Sequence, residues 1–213
     1  MTEKLKNQIK TDNDNLIASK GYRFNNWLPL LENPKLRTIK EIKGRMSVMN
    51  AIINIAFEAP TYIIKEWIEN QNLTQYLSDS EKEILGIENE DLTQLQINTL
   101  LWYLEALWAL MWLTNMIEEL EAEKFVGDEM AELLPNLEQD ESNEKLDNLQ
   151  VLQSEIEIYK MLDYYYRLHW YCVDERIKGQ EPLLNEGVIY ERRKALEWAF
   201  NRKYDWDEVE MST

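Results

Sequence analysis

Five side chains carry most of the chemistry this sequence could do: Arg45, Glu105, Arg167, His169 and Arg192. Glu105 is the only formally charged residue between Leu100 and Ile117, the longest apolar stretch of the chain. A carboxylate is rarely buried alone, so a central helix there obliges Glu105 to find a cation or several donors. Arg45, Arg167 and Arg192 are the candidate partners. Two arrangements satisfy the requirement. One is a buried ion pair that fixes the register of the helices. The other is a polar pocket in which the arginines clamp an anionic or amide-bearing ligand, with His169 as acid or base and Glu105 orienting it.

His169 is the only histidine, and it sits inside the aromatic segment Tyr164–Tyr171. Catalysis by one histidine needs an orienting carboxylate and a nucleophile or water. Asp163 and Glu175 are near in sequence. A histidine beside Trp170 on a helix is more often a satisfied core residue. The tyrosines could stack on a ligand, although helical tyrosine ordinarily packs in the core with its hydroxyl at the rim.

Other chemistries find less support. Di-iron proteins place Glu-x-x-His on two helices, but Tyr166 stands three residues before His169. Zinc sites need more Cys and His than this chain has. Glu118, Glu121, Glu144 and Asp147 have the spacing of a carboxylate magnesium site, which requires all four to converge on one ion. In so acidic a stretch that match arises easily. Cys172, flanked by Tyr171 and Val173, reads as an inert buried thiol. No Gly-rich phosphate loop or nucleophile elbow occurs. No cofactor or metal is expected, and the sequence leaves open whether the protein is an enzyme.

The elements that must position these residues read as helices. Gly and Pro number only 6 and 5 in 213 residues, which favours long helices over many short strands. Ile42, Met46, Met49 and Ile53 recur at helical spacing and predict a helix over residues 39–57. Pro60 suits the first turn of the next helix. Ser80 and Glu83 read as a capping box. Residues 91–123 read as one helix with Asp91 as its N-cap, 149–178 as a second long helix stopped by Gly179, and 187–203 as the last. Residues 22–38 look irregular, with Trp27, Leu28, Leu30 and Leu31 expected to pin the loop to the core. Residues 1–20 read as a loosely attached helix and 135–148 as an acidic loop. The expected fold is all-α, a single-domain bundle over 1–213 with two long hydrophobic central helices.

The net charge is −17, and it is unevenly spread. Residues 1–65 hold 11 Lys/Arg against 6 Asp/Glu, whereas 66–147 hold 3 against 21. The middle third therefore repels phosphate backbones and attracts basic partners. This makes an interaction protein with an acidic partner surface the first functional expectation, and the Arg/Glu/His pocket the second. Nucleic acid is not an expected partner. A membrane is not expected either: the 100–117 run carries Trp and Glu105 inside it and has no basic flank. The charged start and the lone cysteine suit a reducing, cytoplasmic location. So aromatic a bundle could also pair with itself.

Several stretches together resemble a bacterial family called domain of unknown function 4272. They are Leu28-Pro29, then Arg37, Glu41 and Arg45, then Glu105 to Trp108 with Trp112. Tyr165 to Trp170 is the longest and runs on through Asp174; Val188 to Arg192, Ala195-Leu196 with Trp198, and Trp206-Asp207 follow. The resemblance runs from about residue 20 to the C-terminus. It implies a helical bacterial domain and brings no activity, cofactor or partner with it.

Overall fold

The computed structural model describes all 213 residues, which form nine α-helices and no β-strand. These are α1 (Glu3–Ser19), α2 (Ile39–Ala56), α3 (Thr61–Asn70), α4 (Asp79–Ile84), α5 (Gln94–Leu113), α6 (Glu129–Leu133), α7 (Glu144–Asp147), α8 (Glu155–Ile177) and α9 (Glu186–Phe200). The helix starts follow local chemistry. Thr38 with Glu41, Ser78 with Glu81, and Thr93 with Gln96 each form a reciprocal capping box, which satisfies backbone donors that the first turn leaves free. Two of these differ from the sequence expectation. The box before α4 uses Ser78 and Glu81, not Ser80 and Glu83, and α5 is capped by Thr93, not Asp91.

The largest correction is the length of α5. It stops at Leu113 rather than running to residue 123, because Asn115 adopts a left-handed conformation (φ 60°). The Asn115 amide donates to Trp112 O (3.0 Å) and the Met116 amide to Met111 O (2.9 Å), the paired bonds of a Schellman stop. Thr114 Oγ1 donates to the Leu110 and Met111 carbonyls and closes the last turn. α8 and α9 end near their expected stops, α8 at Gly179 with φ 72°. α8 begins six residues later than expected, at Glu155, behind the N-cap Ser154, whose hydroxyl accepts from the Glu157 amide.

The helices pack in the order α2, α5, α9, α8, α1, each against the next. α5 is buried between α2 and α9 over its C-terminal half, which is why it is apolar almost all round. No helix is long and apolar enough to cross a membrane. Residues 1–20 are not loosely attached. Ile9 and Ile17 are buried, and Asn13 Nδ2 donates to Asp163 Oδ2 (2.9 Å) on α8. Residues 135–148 are not a free loop either. They contain α7, whose Leu146 is fully buried, and Asn50 Nδ2 of α2 holds the Pro135 carbonyl (3.0 Å). In the 22–38 segment Leu28 is buried and Leu30 and Leu31 half-buried, but Trp27 is 93% exposed.

Candidate functional site

The five candidate residues do not converge. Glu105 and Arg192 meet: Arg192 Nε donates to Glu105 Oε2 (2.8 Å), and Glu105 Oε1 accepts from the Val126 amide (3.0 Å). Arg192 also donates to the Lys124 carbonyl (2.8 Å) and to Tyr165 Oη (3.3 Å). Both side chains are buried, so the pair has the form of a structural clamp. It binds α5 and α9 to the chain that follows α5.

Arg167 goes elsewhere. It forms a two-pronged pair with Asp163 (2.7 and 2.9 Å) and reaches Asp14 on α1 (3.2 Å). His169 accepts at Nδ1 from Arg193 (2.6 Å). Burial, then the neighbouring Arg193 charge, push its pKa down to about 4, so it is neutral at pH 7. Arg193 also donates to the Met211 carbonyl, the Ser212 carbonyl and Glu197, while its Nε is buried without a partner. No carboxylate orients His169, and Glu105 is not its partner. Cys172 is buried, and burial raises its thiol to about 12. No group of three or more Asp, Glu, His or Cys side chains could hold a metal ion, so Glu118, Glu121, Glu144 and Asp147 do not form the magnesium site that their spacing allowed.

Arg45 leads to the most structured polar site. It projects from α2 into a fully buried pair with Glu81 of α4, with Arg45 Nη1 2.6 Å from Glu81 Oε2. The same oxygen accepts from the Ser78 amide (2.8 Å). Glu81 therefore caps its own helix and neutralises a guanidinium at once. The Arg45 guanidinium stacks on Trp206 (4.3 Å), and Lys194 Nζ lies over the same ring (4.9 Å). Arg37 stacks on Trp198 (4.3 Å) and donates to the Trp198 carbonyl (2.9 Å). Tyr76 can lie against α2 only because residue 44 is glycine: a Cβ there would stand 2.4 Å from its ring.

Arg37, Arg45, Tyr76, Trp198 and Trp206 help to wall a cavity of about 370 Å³. Its charged lining comprises three cations (Arg37, Arg45 and Lys82) and five carboxylates (Glu41, Asp79, Asp205, Asp207 and Glu208). The cations are already engaged: Arg37 faces Glu41 (3.6 Å) and Lys82 holds Asp79 (2.8 Å). Two donors on the wall residues, Arg45 Nε and Trp206 Nε1, are buried and have no acceptor. An unsatisfied buried donor costs about 1–3 kcal/mol. Arg37, Glu41, Arg45, Trp198, Trp206 and Asp207, which carry part of the family resemblance, all line this one cavity.

Sequence reasoning found Arg45 but missed the site. Glu81 was legible as the N3 partner of Ser78, had that serine been chosen over Ser80. Trp206 was marked by the family resemblance, but no local pattern ties it to Arg45.

The family model described as Domain of unknown function (DUF4272) matches residues 9–209. The chain belongs to that family. No curated protein and no solved structure matches it.

Proposed function

We propose that this DUF4272 protein is a binding protein whose ligand site is the cavity between Arg45, Tyr76 and Trp206. The observation that carries this reading is the pair of buried donors, Arg45 Nε and Trp206 Nε1, left without acceptors on residues that wall a cavity. Such groups ask for an explanation, and two of the six buried side-chain atoms without a partner belong to this one wall. The size is within the range of small-molecule pockets. The surplus of carboxylates around engaged cations favours a positively charged group. The ligand class is therefore a small amine, guanidine or zwitterion bearing at least one hydrogen-bond acceptor.

The test is a thermal-shift and NMR titration with amines, guanidines and amino acids, set against dicarboxylates and sugar phosphates. The cationic and zwitterionic compounds should stabilise the protein. Asp79→Asn and Glu208→Gln should weaken the effect severalfold, by roughly 1 kcal/mol each. Binding of the anions alone would overturn the ligand class. No binding by any compound, with Trp206→Phe as stable as the wild type, would reduce the cavity to a surface cleft.

The charge distribution supports a second reading, a surface for a basic protein partner. Residues 66–147 hold most of the excess acid, and complementary charge accelerates and orients association.

A further inference from the structure

The excess acid of the middle third is spread along the chain, but at one place it frames an apolar groove. The groove lies where the C-terminal end of α2 and the start of α3 face the segment that leads into α5. Its volume is about 540 Å³. Ile55, Pro60, Tyr62, Leu92 and Ile97 supply the apolar walls, and Glu58, Glu88 and Glu90 stand among them. Residues 54–63 and 87–99, which build the groove, contain four acids, with Asp91 the fourth, and no Lys or Arg.

Around the groove the surface is unusually apolar. Tyr62 is 62% exposed, and Phe57, between the lining residues Ala56 and Glu58, is 63% exposed. Clustered exposed apolar groups rimmed by charge are a mark of interaction surfaces. The two walls are joined by Asn89, whose Oδ1 accepts from the Thr61 amide (2.8 Å) and whose Nδ2 donates to the Ala59 carbonyl (3.0 Å). Thr61 Oγ1 in turn donates to the Ile87 carbonyl (2.8 Å). The groove is thus fixed before any partner arrives, which lowers the ordering cost of binding.

Resting on the reading of the acidic stretch as a partner surface, we infer that this groove docks a basic amphipathic segment of another protein. Two or three apolar side chains of that segment seat on Tyr62, Leu92 and Ile97. Its lysines or arginines lie over Glu58, Glu88 and Glu90. Charge complementarity selects this partner: every charged side chain of the walls is an acid, so an acidic or neutral segment gains nothing there that a basic one does not exceed. The cavity at Arg45 and Trp206 is lined by other residues and takes no part.

The experiment measures fluorescence anisotropy of a labelled amphipathic peptide of leucines and lysines with the full chain. Two controls accompany it, one with Glu in place of Lys and one with Ser in place of Leu. The Leu/Lys peptide should bind, and binding should weaken as salt rises through physiological strength. The triple variant Glu58→Gln/Glu88→Gln/Glu90→Gln should weaken it by about tenfold. Tyr62→Ser, at an exposed position of the groove wall, should weaken it while leaving the thermal unfolding temperature unchanged. If the serine control binds as well as the leucine peptide, or if the variants bind like the wild type, the groove is not the site, although a diffuse acidic attraction survives. If the Leu/Lys peptide does not bind at low salt, the partner reading fails with it.

Discussion

Glu105 and Arg192, 87 residues apart in sequence, share a buried ion pair in which Arg192 Nε stands 2.8 Å from Glu105 Oε2. Glu105 is 3% exposed and Arg192 1%. The same two side chains bond the backbone of Val126 and Lys124. The charge in the most apolar helix is thereby the fastener that returns the chain across α5 and α9. Removing one partner leaves the other charge buried alone. Glu105→Ala should therefore destabilise the protein by about 3–5 kcal/mol in urea unfolding. Replacing both residues with Leu should cost less than the two single changes added together. Equal costs for the double and the summed singles would mean that the two side chains act independently.

The buried His169 and the half-buried Glu191 give stability opposite dependences on pH. His169 is held at about 4 in the fold against an ordinary 6.5, by burial and by Arg193. The unfolded chain therefore binds its proton first. Stability falls as the pH drops from about 6.5 to 4 and loses nothing further from this group below that. Glu191 is pushed up to about 7 from an ordinary 4.5 by burial, which Lys194 only partly offsets. Its contribution is full below about 4.5 and is lost as the pH rises through 7. The two windows overlap and their slopes oppose, so His169→Gln should leave stability falling between about pH 4.5 and 7, and Glu191→Gln should leave it rising between about pH 4 and 6.5, each by roughly 1–3 kcal/mol over its window. The check is chemical denaturation at pH 4, 5.5, 7 and 8. Parallel profiles for the variants and the wild type would contradict the assignment.

Glu58 closes α2 in a left-handed conformation (φ 71°), donating its amide to Ile55 O (3.1 Å), while the Ala59 amide donates to Asn54 O (3.0 Å). Glycine normally occupies that position, because a Cβ there strains the backbone. Glu58→Gly should raise stability by about 1 kcal/mol and yet weaken peptide binding at the groove. A thermal melt and the anisotropy assay on the same variant separate the two effects.

What the sequence determined by itself was periodic or local. The 3.6-residue spacing of Ile42, Met46, Met49 and Ile53 places α2 to within a residue, and Gly179 marks the end of α8, because one turn of helix and one left-handed residue are set by near neighbours. The burial of Glu105 and its need for a cation were also legible, since a single carboxylate in an apolar run has few other fates. The choice among Arg45, Arg167 and Arg192 was not. Each arginine lies in an apolar-faced helix, and only the packing order α2, α5, α9, α8, α1 decides which carboxylate each one meets. Nor could local rules stop α5 at Leu113, because Asn115 tolerates the left-handed turn without demanding it. The site at Arg45 and Trp206 needed the tertiary structure most. It joins α2, α4, α9 and the short turn after α9, and no sequence period connects residues that meet only when three helices and a tail pack together.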